Sequence, residues 1–332
     1  MNTIHLSADT LATAPDIQSL FHTLRRRVSP DTRVMVTIYN SVWKPLVGLS
    51  EHNWLTVEDI SNLLELEGFQ IVKTKHTFFA TTHTIVACLR PTERRDASVS
   101  IVIPVRNEKG NLDTLIKRLP KFGTFQELIF VEGHSKDGSW RELQRLQALH
   151  PTIRIYKQKG TGKADAMRLG FAHAKGDILV VLDADLSVSP EDLPKFYEAL
   201  ARGNGEFVNG SRLVYPVEKE AMRYLNILGN QFFSSTLSWI IDQHIKDTLC
   251  GTKAISRANY QKIVAGRSYF GEFDPFGDFD LIFGAARLNL KFIEIPVRYH
   301  ARSYGTTNIS RFRHGLLLLK MTWFALMKMK FT

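Results

Sequence analysis

Three short apolar runs constrain the fold of this chain more than any other feature: SIVIPV at 100–105, ELIFV at 127–131 and DILVVL at 177–182. Each is continuous and rich in branched aliphatic residues, and helical patterns such as NLDTLIKRL and KADAMRLGFAHA lie between them. Strands joined by helical crossovers imply an α/β fold with a mostly parallel sheet covered on both faces. Open sheets of that kind bind ligands beyond the carboxyl ends of their strands, so the residues just after each run matter most. They are polar: Arg106-Asn107-Glu108, then Glu132-Gly133-His134-Ser135, then Asp183-Ala184-Asp185. Asn107, Glu132, Ser135, Asp183 and Asp185 are therefore expected to share one crevice.

The chain has 332 residues, 44% of them hydrophobic, which is enough for about two domains and too apolar for long disorder. The polar stretch LRPTERRDAS at 89–98 divides it, giving expected units at 1–95, 96–310 and 311–332. Upstream, TRVMVTIYN and FQIVKTKHTFF read as strands, and VEDISNLLELEGF as an amphipathic helix closed by Gly68. Cys88 and Cys250 lie far apart with no CxxC or Cys/His cluster, which argues against a disulfide framework or a structural zinc site. The amino terminus shows no basic segment followed by an apolar run, and no uncharged apolar stretch reaches 18 residues, so a cytoplasmic protein is expected.

Charge is placed unevenly. Of a net +10, residues 286–332 hold nine Lys/Arg against the single acid Glu294. No nucleic-acid readout module accompanies them, so no nucleic-acid partner is expected. GLLLLKMTWFALMKMK at 315–330 interleaves leucine and aromatic residues with lysines, as an interfacial helix does; a core helix closing the domain fits the same pattern.

Two carboxylates one residue apart at the end of a buried strand are costly without a cation, and their hard oxygens suit Mg²⁺ or Mn²⁺ shared with a diphosphate. A solvated acidic pair is the bland alternative. Lys163 follows two glycines at the start of a helical pattern, which presents N–H groups and a cation to a phosphate; Ala164 after it excludes a Walker loop. A solvated lysine at a helix start fits equally.

In that order and spacing, IVIPVRNE, VEGHSKDGS, KGTGKADAMRLGFAHAKGD and VLDADLSVSPEDL resemble the family 2 glycosyltransferases, particularly those that load a hexose onto dolichyl or polyprenyl phosphate. The resemblance runs from about Val99 to Ile309. It implies a GT-A fold with a nucleotide-sugar lying across the strand ends. Asp185 would be the main metal ligand, and Asp183 would share the metal or face the ribose. Pro104, Asn107 and Glu108 would shape the nucleotide pocket and Glu132 would approach the base, although Glu132 equally reads as a cap for the following helix. Arg212 within VNGSRL would meet a donor or acceptor phosphate, with Ser135 and Arg223 as further phosphate contacts. Asp247 matches a family segment in which CGT here replaces the usual SGF. Asp278 and Asp280 lie where inverting relatives place an acid near the acceptor, and Asp278 is the candidate general base. Arg302 and Asn308 fall in the family's basic glycine-containing loop, Asn308 standing where many relatives have lysine.

What the resemblance implies is inverting, metal-dependent transfer of a hexose from GDP-mannose or a UDP-hexose to polyprenyl phosphate, at the cytoplasmic face of a membrane. A different acceptor and a non-catalytic scaffold of the same fold are the alternatives. Residues 5–80 resemble the carboxyl half of a class I methyltransferase without the strand and glycine loop that hold its cofactor, so no S-adenosylmethionine binding is expected.

Overall fold

The structure is a computed structural model that describes residues 2–40, 52–76, 82–90, 93–216, 224–269, 277–302, 304–305 and 311–331. Among these, eleven strands form two sheets. Thr3–Leu6 (β1), Arg33–Tyr39 (β2), Phe69–His76 (β3) and Thr82–Leu89 (β4) make a four-stranded sheet ordered β1-β2-β4-β3. β1 and β2 are parallel, and β4 runs antiparallel between β2 and β3.

The larger sheet comprises Val99–Val105 (β5), Gln126–Glu132 (β6), Ile153–Lys157 (β7), Ile178–Val181 (β8), Phe207–Ser211 (β9), Lys253–Ser256 (β10) and Phe292–Pro296 (β11). Their order is β11-β9-β10-β8-β5-β6-β7. β10 alone breaks the parallel arrangement, pairing antiparallel with both β8 and β9. The three apolar runs become β5, β6 and β8 side by side, with all four residues of β8 buried. Continuous burial explains their unbroken apolar sequences, since both faces are covered. One face is packed by Met167, Phe171, Leu237, Phe279 and Phe283. On the other, Phe196, Ile293 and Val297 join Phe21, Ile60 and Leu64 of the first unit in one apolar cluster, so the two sheets share a core.

The helix Val57–Leu66 starts at a capping box between Thr56 and Asp59 and is followed by Gly68 at φ 81°, as its sequence pattern predicts. The terminal helix Arg311–Met329 buries Leu318, Met321 and Ala325 in the second core and exposes Leu316, Leu319, Trp323 and Met327. No helix among the described residues is long and apolar enough to cross a membrane.

Candidate active site

The strand ends converge as expected, and their backbone is unusual. Asn107, His134 and Leu186, in the loops after β5, β6 and β8, all adopt left-handed conformations at φ 58°, 59° and 58°. Such geometry costs about 1–2 kcal/mol per residue without a glycine and clusters at functional sites. The first two loops are laced together. The Asn107 N–H donates to Ser135 Oγ at 3.0 Å, the Lys136 N–H donates to Asn107 Oδ1 at 2.8 Å, and the Ser135 N–H donates to Glu132. Glu132 is thus committed to the turn that follows it and does not cap the helix Ser139–Leu149, whose N-cap is Gly138. Pro104 is half-buried within β5.

Beside these loops, Asp183 and Asp185 each meet a cation from a distant element. Lys163 Nζ lies 2.6 Å from Asp183 Oδ1, at the start of the helix Lys163–His173. Arg302 Nη2 lies 2.7 Å from Asp185 Oδ2, while its Nη1 is 3.7 Å from Glu108 Oε1. Asp185 Oδ1 accepts the Ser187 N–H at 3.0 Å, which fixes the turn carrying both acids. Gly251 packs against the first pair: a Cβ there would overlap Asp183 Oδ2 and Lys163 Nζ.

A buried lysine completes the cluster. Lys253, the first residue of β10, has a fully buried side chain whose Nζ donates to the Cys250 carbonyl and to Asp278 Oδ1, the latter at 3.1 Å. Asp278 Oδ1 is also 3.9 Å from Lys163 Nζ. Sequence reasoning missed Lys253 and Gly251. The available signals were a lysine opening the otherwise apolar strand KAIS, and the glycine retained where CGT replaces SGF.

The electrostatics follow from counting groups: Asp183, Asp185, Asp278 and Glu108 face Lys163, Lys253 and Arg302, so acids exceed cations by one when every group is ionised. Burial, reinforced by Asp185 and Asp183 against the opposing pull of Asn111 and Arg302, raises the Glu108 pKa to about 7. Burial also disfavours the Lys163 ammonium, but Asp183 and Asp278 outweigh it and hold its pKa above the usual lysine value. The same balance keeps Asp183 below the carboxylate range: burial opposes ionisation and Lys163 overcomes it.

No three His, Cys, Asp or Glu side chains among the described residues form a ready metal cluster, because Lys163 and Arg302 sit between the acids. The donor set nevertheless fits a hard divalent cation: carboxylate oxygens in excess of their counter-charges, on a partly exposed rim. Asp183, Asp185 and Glu108 are the residues able to hold one.

Arg212 stands in the other half of the sheet, just beyond β9. Its Nε and Nη2 bond both oxygens of Asp247, at 2.6 and 2.7 Å, and its guanidinium lies 4.9 Å from the centre of the Tyr299 ring. Two of the sequence candidates, Asp247 and Asp280, have their carboxylates engaged by protein groups. Asp247 is fully buried, and its carboxylate is further engaged by Asn230 Nδ2 at 3.0 Å and the Leu249 N–H at 3.2 Å, so its oxygens are spent on holding Arg212 and the turn around it. Asp280 is held by Arg168 at 3.3 Å and by Arg267 at 3.0 Å, in a separate cluster that also includes Tyr260, which ties the helix Phe279–Arg287 to its neighbours. Arg223 and Asn308 lie outside the described residues.

Comparison with known proteins agrees with this geometry. The profile of glycosyl transferase family 2 matches residues 100–264. The chain is similar to a dolichol-phosphate mannosyltransferase of Pyrococcus furiosus, 38% identical over 118 residues, which is 35% of this chain and 33% of that protein. It is also similar to an undecaprenyl-phosphate 4-deoxy-4-formamido-L-arabinose transferase of Edwardsiella ictaluri, 38% identical over 112 residues, 32% of this chain and 34% of that one. The matched segment thus spans about a third of the length of these relatives. Glucosyl-3-phosphoglycerate synthase of Mycobacterium tuberculosis, solved with Mn²⁺, UDP and its product, shares the fold at a TM-score of 0.50 and 18% identity, covering 70% of this chain and 80% of that one. The larger sheet is accordingly of the GT-A type, and the domain spanning residues 100–264 belongs to glycosyl transferase family 2.

Proposed function

We propose that the protein transfers a hexose from a nucleotide-sugar to a polyprenyl phosphate, with inversion and with the help of Mg²⁺ or Mn²⁺. The observation that carries this reading is the rim where Asp183 and Asp185 each meet a partly exposed cation from a distant element, between the β5 and β6 loops on one side and Arg212 on the other. The two relatives act on dolichol phosphate and undecaprenyl phosphate by name, which supports a phosphorylated polyprenol as acceptor.

In this reading Pro104, Asn107, Glu108, Glu132 and Ser135 build the nucleotide side. Asp185 and Asp183 would hold a divalent cation, which when bound would supply charge neutralisation for the leaving diphosphate. Lys163 and Arg302 release their carboxylates and turn to the diphosphate oxygens, Arg302 with the planar fork suited to them. Arg212, pre-oriented by Asp247 on the opposite half of the sheet, holds the acceptor phosphate. A phosphate oxygen attacks the anomeric carbon, the new C–O bond forms, and the bond to the diphosphate breaks with its electron pair leaving on the nucleoside diphosphate. The second pKa of a phosphomonoester is about 6, so the nucleophile is already largely anionic near neutrality and no base need take a proton. Asp278, bonded to Lys253 and near Lys163, is then a positioning residue for Lys163.

A lipid-linked acceptor also gives the exposed apolar surface a purpose. Phe232 and Trp239 project from the helix Tyr224–Ile241, and Leu316, Leu319, Trp323 and Met327 from the terminal helix. Lys330 joins the two helices, with Nζ 2.7 Å from Asp242 and 5.5 Å from the centre of the Trp239 ring. Aromatic side chains with lysines at their margin suit the interface of an anionic bilayer. The deciding experiment incubates the purified chain with GDP-mannose or UDP-hexoses and a short polyprenyl phosphate, with and without Mn²⁺. Hexosyl-phosphate-polyprenol formed only with metal is expected; its absence with every donor tried contradicts the reading.

A further inference from the structure

The first 90 residues lie outside the matched family segment, yet they grip the rest of the chain at the two places that carry Arg212. On one side, the Trp54 N–H donates to the Val214 carbonyl at 2.9 Å and the Ile17 N–H donates to the Tyr215 hydroxyl at 3.3 Å. Arg298 stacks on the Tyr215 ring with 4.8 Å to its centre, and its Nε donates to the Pro15 carbonyl at 3.0 Å. The chain two and three residues after Arg212 is therefore held from the first unit.

The second grip is on the residue preceding Asp247. Lys246 Nζ bonds Asp59 and, at 2.6 Å, the Thr56 hydroxyl. Asp59 is buried, and its carboxylate also takes the Thr56 N–H at 2.8 Å in the capping box, so the lysine is anchored to a helix end that is itself fixed. The Lys246 N–H in turn donates to Glu294 at 2.9 Å, Glu294 accepts from Asn209 Nδ2 at 3.0 Å, and the same Asn209 amide donates to the Asp247 carbonyl at 2.9 Å. Linked through Lys246 itself, polar contacts thus run from the first unit to the backbone of Asp247, whose carboxylate aims Arg212.

We propose that residues 2–90 act as a built-in positioning module for Arg212, with Asp59 and Lys246 as its principal pair. The module binds no cofactor in this role; it holds the phosphate-binding arginine by clamping residues 214–215 and 246–247. Because Arg212 lies across the sheet from the nucleotide loops, loosening the clamp weakens acceptor binding and spares the donor. The kinetic part of this inference rests on the transferase reading above, while its structural part does not.

The test uses the full chain carrying Asp59→Asn, with Asp59→Glu as the conservative rescue. Expected is amide exchange roughly tenfold faster across 207–215 and 244–250, and a KM for short polyprenyl phosphate raised about fivefold or more, within the range for coupled buried pairs. The Kd for a nucleoside diphosphate with Mn²⁺ stays within about twofold, and Asp59→Glu restores much of the loss. A folded Asp59→Asn protein with wild-type exchange and KM overturns the inference, as does equal weakening of donor and acceptor. If Asp59→Asn fails to fold, Tyr215→Phe, which removes the acceptor of the Ile17 N–H, should shift exchange and KM in the same direction; no change there is equally fatal. A wild-type chain that transfers nothing defeats the transferase reading, and the exchange measurement still decides the module.

Discussion

Two charged clusters, one on each half of the larger sheet, are built on opposite principles. Around Asp183 and Asp185 the acids outnumber the cations, and the side chains of Lys163 and Arg302 remain 24% and 31% exposed. Around Asp247 the carboxylate has no exposure and both of its oxygens are hydrogen-bonded to Arg212 and its neighbours. A partly wet, charge-imbalanced cluster can exchange its partners for a ligand at little cost. A dry and fully satisfied one cannot, because separating a buried pair leaves an uncompensated charge. In the proposed mechanism the first cluster supplies the groups that change partners, and in the second Asp247 keeps its place and aims Arg212 at the acceptor phosphate.

The comparison breaks most visibly at Asp185. Asp185→Ala, or chelation of the wild-type protein, is expected to lower hexose transfer about a thousandfold, the scale of losing a major electrostatic stabiliser of the leaving group. Asp185 is itself buried, but its partner Arg302 is 31% exposed and can turn to water, so the cost in folding stability stays below that of breaking a fully buried pair. Asp247→Asn should do the reverse in urea denaturation, destabilising by about 3–5 kcal/mol because a largely buried guanidinium loses its counter-charge. If the two variants exchange these profiles, the division into exchangeable and fixed clusters is wrong.

Gly251→Ala sharpens the first half of the contrast. The added methyl would wedge between Asp183 and Lys163, and displacing reactive groups by about 1 Å costs on the order of a hundredfold in rate. Measured by initial rates with melting as a control, activity should fall far more than stability. A smaller effect concerns pH. Burial, with Asp59 adding to it and Lys246 and Asn209 opposing, raises the buried Glu294 from 4.5 to about 7. Between those values the folded protein holds a proton that the unfolded chain has lost. The stability linked to this group is therefore complete below about pH 4.5 and is lost as the pH rises to about 7. Glu294→Gln should flatten that slope in urea titrations at pH 5 and pH 8, and an unchanged slope would remove Glu294 as its source.

The catalytic half was the more legible from sequence, for a physical reason. Strands buried on both faces must be continuously apolar, so β5, β6 and β8 announce themselves, and the polar residues that end them stand out by contrast. β10 did not, since it is four residues long and opens with Lys253, a charge that reads as surface until Asp278, 25 residues away, is seen to neutralise it. Arg212 and Asp247 were each singled out, but their pairing across 35 residues is tertiary information, and without it Asp247 looks like a ligand group. In the first unit β2, β3 and the helix between them were readable, while β1 and β4 were not, because β4 lies immediately behind a run that reads as a single longer strand. The grip of that unit on residues 214–215 and 246 has no local signature at all.

Calorimetric titration of a nucleoside diphosphate, GDP and UDP in parallel, into the wild-type chain and into Asp185→Ala is the most direct test of the central claim. The account predicts that the wild-type protein binds one of them only when Mn²⁺ or Mg²⁺ is present, and that the variant, still folded, loses that binding. Equal affinity in chelator, or in the variant, would contradict it.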